Sequence, residues 1–318
     1  MSGAATAGGG ARRVTVEVPA TSANLGVGFD CLALALDMTL RVEVETMAGG
    51  VMSELQVSGE GAGRLGLNDA NRFIAGLRRG LKELGADNIG QAWRIEMDNQ
   101  IPLGRGLGSS AAAVVGGLLS AEALAGSELG LERRLALAVE IEGHPDNVAA
   151  ALLGGFVLVI DTDQPGVWQA RRLEPPTELR AVIYVPDREL PTSRMRAALP
   201  EVVPRADAVH NMGRAAALAV AIATGDLSAI GAMCDDRLHE PYRAAVYPEF
   251  PELVRAARAA GALGAALSGA GSTVIALCRT EQTVAVAAAM SASAAEVALT
   301  GSARVVMPRS DGARIVGR

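Results

Sequence analysis

The stretch Pro102-Leu-Gly-Arg-Gly-Leu-Gly-Ser-Ser-Ala-Ala112 decides how this chain is read. Glycines stand at the alternate positions Gly104, Gly106 and Gly108, where the backbone is free to take positive φ and to lie close against a ligand. Ser109 and Ser110 then open an alanine-rich run that reads as a helix from about 110 to 125. The first N–H groups of a helix have no partner within it, and its dipole places positive charge at the same end. A glycine turn feeding such a helix is an anion site. An ordinary serine-capped turn shares some of these residues. The flanking Pro102, the doubled serine and the alanines together favour the anion site.

Composition narrows what that site can be. Half of the 318 residues are hydrophobic and 20% are charged, which suits a globular chain with a sizeable core. Aromatics are only 3%, so the core must come from Ala, Val, Leu and Ile. The 29 basic residues include one lysine, Lys82, in Leu81-Lys82-Glu83-Leu84, which reads as a helix surface. A Walker-type loop needs a lysine after its last glycine, and Schiff-base catalysis needs a lysine nucleophile; neither fits. An anionic substrate must be held by arginine, backbone N–H groups or a metal. The net charge of −6, with no Lys/Arg cluster, argues against a nucleic-acid partner. Cys31, Cys234 and Cys278 form no CxxC pair and read as small hydrophobes in a reducing cytoplasm. Residues 1–12 read as a disordered lead-in without signal-peptide character, and no apolar run is long enough for a membrane span. The expectation is a cytoplasmic protein with no membrane partner.

Outward from the glycine loop, alternating segments predict strands at 13–18, 40–45, 92–97, 156–160, 179–185, 273–277 and 304–307. Helical spacing predicts helices at 71–84, 131–142, 205–224, 251–260 and 281–294. Residues 19–30, rich in Ser, Asn and Gly, read as a loop. Residues 161–177 are polar and carry Pro165, Pro175 and Pro176, and read as a connection between two halves, 13–165 and 166–318.

The loop at 102–112 resembles the phosphate motif of the GHMP kinases, which do without the Walker lysine. Two further segments resemble that family in the same order. Pro19-Ala-Thr-Ser-Ala-Asn-Leu-Gly-Val-Gly-Phe-Asp30 is similar to its N-terminal motif, and Leu267-Ser-Gly-Ala-Gly-Ser-Thr273 to its C-terminal glycine-rich motif. His144-Pro-Asp-Asn-Val148, Thr192-x-x-x-Arg196 and Leu238-His-Glu-Pro-Tyr-Arg243 resemble the homoserine-phosphorylating members. The resemblance implies an α+β fold of two domains with the active site in the cleft between them. It implies an ATP- and Mg²⁺-dependent kinase acting on the hydroxyl of homoserine in threonine biosynthesis, and it suggests a homodimer. The alternatives are a family member acting on another small hydroxy acid or amino alcohol, and a non-catalytic small-molecule binder.

By the same resemblance, residues 102–112 (Pro102, Leu103, Gly104, Arg105, Gly106, Leu107, Gly108, Ser109, Ser110, Ala111 and Ala112) cradle the nucleotide, with Asn71 near the adenine. Arg196 and Arg243 fall on carboxylate-binding positions, and a guanidinium fork matches a carboxylate. Asn24 and Asp30 fall on the ammonium side, with His144 as a further substrate-side residue. Ser110 and Glu142, or Glu140 in its place, would hold the metal. Asn147 and Arg196 fall on catalytic positions. Several relatives carry an aspartate at the position of Asn147, and an amide cannot act as a base. Asp146 is its neighbour, but successive helical residues point about 100° apart. The expected mechanism therefore has no side-chain base.

Overall fold

The structure is a computed structural model, and it describes residues 11–47, 52–68, 70–89 and 92–317. The expected lead-in falls, over 1–10, outside the described residues. Arg12 is described and anchored: its guanidinium donates to the Leu124 carbonyl at 2.5 Å and its backbone N–H to Thr46 Oγ1 at 2.9 Å.

Strand β1 (Arg13–Ala23) pairs antiparallel with the long β2 (Leu32–Thr46). The predicted loop at 19–30 is therefore shorter than expected, because β1 runs on to Ala23. Its register shifts between Pro19 and Ala20. A proline has no N–H to give to a ladder, and a bulge is where a strand tolerates one. Next come β3 (Glu54–Gly59), α1 (Arg72–Glu83) and β4 (Trp93–Asn99). In β4, Trp93, Ile95 and Met97 face the core, and Arg94, Glu96 and Asp98 face outward. Strand β3 lies parallel to β4 at the sheet edge. It is not among the predicted strands, although Leu55 and Val57 alternate with the exposed Glu54, Gln56 and Ser58.

Helices α2 (Ser109–Ala125), α3 (Leu131–Glu142) and α4 (Asp146–Leu153) follow, then β5 (Phe156–Asp161) and β6 (Trp168–Leu173). The last two form a hairpin, and β5 also pairs with β2. This corrects the expected linker at 161–177. Residues 162–167 are the hairpin turn, so the first sheet continues beyond residue 165, through Leu173. The prolines at 175 and 176 mark the real exit from that sheet.

The second sheet has the order β10-β7-β9-β8, all antiparallel, from β7 (Leu179–Pro186), β8 (Gly264–Leu267), β9 (Val274–Arg279) and β10 (Gly301–Val306). Between β7 and β8 lie α5 (Thr192–Ala197), α6 (Arg205–Thr224), a 3-10 segment (Leu227–Cys234), α7 (Glu240–Ala244) and α8 (Phe250–Ala259). Helix α9 (Thr283–Glu296) packs on this sheet, and β11 (Arg314–Gly317) returns the chain to β1. The C-terminal strand thus completes the N-terminal sheet, so the two halves are not consecutive pieces of chain. No described helix is long and apolar enough to cross a membrane.

Helix α2 is buried almost throughout, as an alanine-, valine- and leucine-rich helix must be when apolar on every side. It crosses α1 at glycines. A Cβ on Gly117 would lie 2.2 Å from the Phe73 carbonyl oxygen and 2.5 Å from the Leu77 nitrogen. Backbone atoms cannot rotate away, so the crossing needs glycine. Gly213, on the exposed side of α6, meets nothing within 4 Å.

The two glycines make a matched test. Alanine gains about 1 kcal/mol of helix propensity over glycine at either site. At Gly117, overpacking against backbone costs about 1–3 kcal/mol and outweighs that gain. Gly117→Ala is expected to lower the thermal midpoint and Gly213→Ala to raise it, as read by thermal and urea unfolding.

Candidate active site

Three loops meet at the N-terminus of α2. Gly104, Gly106 and Gly108 all have positive φ, so the alternate-glycine reading holds in the backbone. At Gly106 a Cβ would lie 2.1 Å from the Ser268 carbonyl oxygen, and at Gly108 it would lie 1.9 Å from Thr21 Oγ1. The loops touch because neither position has a side chain. Ser268 Oγ lies 2.6 Å from the Gly106 carbonyl and 2.8 Å from Ser22 Oγ. The Thr273 N–H donates to the Arg105 carbonyl at 3.1 Å, and the Gly269 N–H to the Ala23 carbonyl at 3.0 Å. The three segments quoted from the sequence therefore form one contiguous surface.

That surface lines a cavity of about 460 Å³. At one end, Ser109, Ser110 and Ala111 present the start of α2. Gly108, the N-cap, makes no side-chain cap, which leaves these N–H groups to a ligand. Ser110 Oγ donates to Glu142 Oε1 at 2.6 Å. Glu142 is the last residue of α3, with its side chain buried, and Arg72 Nε approaches it at 3.8 Å. A hydroxyl and a buried carboxylate side by side are hard oxygen donors that fit Mg²⁺. Glu140 instead faces away and pairs with Arg79.

At the other end, Arg196 of α5 forms a two-pronged ion pair with Asp30, at 2.8 and 3.1 Å. Arg243 of α7 is fully buried, and burial together with the nearby Arg196 pushes it down to about 10. Asp146, the first residue of α4, is buried too. Desolvation and the charge of Asp30 push its carboxyl up to about 6, against the pull of His144, the Asn147 N–H and Arg196. His144 Nδ1 is buried without a hydrogen-bond partner, 3.8 Å from Asp146 Oδ1.

The structure revises several expectations. Asp30 and Arg196, assigned to opposite ends of a substrate, are each other's partners. Asn24 lines the cavity, but its amide is occupied, donating to the Gly269 carbonyl at 2.9 Å and accepting from the Asp30 N–H at 3.0 Å. Asn71 lies outside the cavity and caps α1, accepting from the Phe73 and Ile74 N–H groups. The Arg105 guanidinium is held by the Leu103, Pro186 and Asp187 carbonyls, so only its backbone serves the loop. Pro102, Leu103, Leu107 and Ala112 stand behind the cavity wall. Asp146 does line it beside Asn147: the cavity meets α4 at its first turn, end-on, and the 100° argument holds only for a helix seen from the side.

Three residues were not legible in advance. Thr21 donates to Asn147 Oδ1 at 2.7 Å from inside the N-terminal motif. Arg72 follows Asn71 directly and reaches the cavity from α1. Membership of the N-terminal motif is the one signal that points to Thr21; nothing in the sequence ties Arg72 to the site. Phe29 stacks on His239 and lies beneath both arginines, 5.8 Å from Arg196 and 5.5 Å from Arg243.

The chain matches the family models for the GHMP kinase N-terminal domain over residues 71–155 and the GHMP kinase C-terminal region over 218–297. It is 40% identical to the homoserine kinase of Moorella thermoacetica over 301 residues, covering 95% of this chain and 99% of that one. It is 42% identical to the homoserine kinase of Thermus thermophilus over 86% of this chain and 90% of that one. Its fold superposes on a crystal structure of homoserine kinase from Cytophaga hutchinsonii with a TM-score of 0.84 and 31% identity, covering 96% of this chain and 97% of that one. A structure of mevalonate kinase, 16% identical with a TM-score of 0.68, shares the fold. With both family segments in order, and three glycine- and serine-rich loops closing on one cavity, the chain belongs to the GHMP kinases, in their homoserine kinase branch.

Proposed function

We propose that this protein transfers the terminal phosphoryl group of ATP to the side-chain hydroxyl of L-homoserine, giving O-phospho-L-homoserine. The observation that carries the substrate is the arrangement of charge. Arg196 disfavours the charge of the buried Arg243, and beside them Asp30 disfavours the charge of the buried Asp146. Each pair is relieved by the opposite sign, and a zwitterion supplies both signs at once. A hydroxy acid without an ammonium would meet the carboxylates uncompensated. The Arg196–Asp30 bridge is no barrier: both side chains are about one-third exposed, and such pairs are worth about 0.2–1 kcal/mol. Exchanging it for substrate contacts costs little.

The start of α2 suits the nucleotide phosphates, and Ser110 and Glu142 suit the magnesium ion. Bound there, Mg²⁺ would neutralise charge on the phosphates. Thr21 holds Asn147 by its carbonyl oxygen, which leaves the amide NH₂ as donor, 3.5 Å from Asp146 Oδ1. That amide orients the attacking hydroxyl and does not take its proton. A loose phosphoryl-transfer transition state needs little activation of the nucleophile. Positioning, and the N–H groups at the head of α2, carry most of the rate.

An ATPase-coupled assay should show turnover that depends on L-homoserine and is absent with mevalonate or pantoate. Turnover with those acids instead would overturn the substrate assignment, and binding without turnover would mark a non-catalytic protein.

Gly106→Val would both disfavour the positive φ and drive Cβ into the Ser268 carbonyl. Nucleotide affinity is expected to fall at least tenfold in a variant that keeps its circular dichroism; unchanged affinity would remove the loop from the nucleotide site.

The Asp146 carboxyl, raised to about 6, must be charged to help hold an ammonium. The sign follows: below that pH it is protonated, and homoserine binding weakens. With nucleotide saturating, kcat/KM for homoserine should fall about tenfold per pH unit below pH 6. Asp146→Asn should be slow and flat over the same range. A wild-type profile level down to pH 5 would take Asp146 out of the substrate site.

A further inference from the structure

Arg243 is held almost entirely from one side. Its Nη1 donates to the Gly269 carbonyl at 3.0 Å and to His239 Nδ1 at 3.0 Å, while Nε is buried without a partner. His239 is itself wholly buried, one helical turn before Arg243. Its Nε2 lies 2.7 Å from the Gly26 carbonyl. A carbonyl can only accept, so Nε2 carries the ring proton and Nδ1 presents a lone pair to the guanidinium. Burial holds the ring neutral, pushing it down to about 4, which keeps that lone pair free. Phe29 stacks on the ring with centroids 5.1 Å apart, and the backbone N–H of His239 donates to Asp236 Oδ2 at 2.8 Å, holding the residue in place.

We infer that His239 is the positioning residue of the substrate site: by accepting a hydrogen bond from Arg243 it aims the guanidinium at the carboxylate of an amino-acid substrate, while its bond to the Gly26 carbonyl sets the tautomer. The inference rests on the reading of Arg243 as a carboxylate clamp. His239 touches neither substrate nor nucleotide and acts through Arg243. The His239–Arg243 pair is bonded to both halves of the cleft: His239 to Gly26, which precedes Asp30 in the N-terminal motif, and Arg243 to Gly269 of the C-terminal one. A proton on Nδ1 in place of the lone pair would face the guanidinium donor to donor.

Two amide substitutions separate the bonds, because an asparagine oxygen can stand where Nδ1 stood and a glutamine nitrogen where Nε2 stood. His239→Gln keeps the tie to Gly26 and loses the acceptor for Arg243. It is expected to raise the homoserine KM roughly tenfold, with the ATP KM unchanged. His239→Asn keeps the acceptor and loses the tie; its homoserine KM should stay within about twofold of wild type, although its melting temperature falls. Equal rises in homoserine KM in the two variants, or a matching rise in ATP KM, would reduce His239 to a structural residue. Arg243→Lys, run beside them, should raise the homoserine KM at least tenfold; no change there would sink the clamp itself. Nitrogen-15 NMR of the unmodified protein needs no variant to fold. It should show His239 neutral with the proton on Nε2, and a charged ring or a proton on Nδ1 would overturn the inference.

Discussion

Everything at the active site depends on one close approach, where the Gly106 turn lies against the Ser268 backbone with no space for a side chain between them. Ser268 bonds to the Gly106 carbonyl and to Ser22, and so joins segments from the start, the first third and the last fifth of the chain. A buried hydrogen bond of this kind contributes about 0.5–1.5 kcal/mol, whereas leaving its groups unpaired costs about 1–3 kcal/mol. The junction is therefore strongly selective against any rearrangement that parts the loops. The N-terminus of α2, the Ser110–Glu142 pair and the Thr21–Asn147 contact all take their places from it.

The electrostatics of the cleft follow from that geometry. Loops brought this close carry their charged residues with them, and like charges end as neighbours: Arg196 with Arg243, and Asp30 with Asp146. Each pair alone is destabilising. Part of the cost is offset by the Arg196–Asp30 bridge, which is weak enough to open. The deeper members cannot move. Arg243 and Asp146 are buried, and fixed backbone and ring groups hold them: Gly269 and His239 on one, the Asn147 N–H on the other. The cleft thus pairs an adjustable rim with a rigid floor.

The glycines at 104, 106 and 108, the serines that start α2, the single lysine and the three ordered motifs were legible because each is a local pattern with a local cause. A positive-φ turn needs glycine, and an unpaired helix start draws anions wherever it sits. Most helices were legible for the same reason, and α3 falls at 131–142 as its spacing requires. Strands were less so. Strand β6 hid between prolines, β3 alternates over only six residues, and β11 is four residues long. Such strands form because a neighbour offers a ladder, and the neighbour of β11 lies at the other end of the chain.

Tertiary structure alone decided which residues meet. The residue types for holding a carboxylate and an ammonium could be named from the sequence, yet nothing in it says that Arg196 rests on Asp30 or that Asn24 is spent on Gly269. These are contacts across as many as 245 positions, set by the packing of two sheets and by the return of the last strand to the first. Asp146 shows the difference best. On an isolated helix it would point away from Asn147, but the fold brings the cleft to the end of α4, and both residues face it. The sequence determined what chemistry was available along the chain; the fold determined which groups are buried together, and burial decides which charges need a partner and which ligand supplies it.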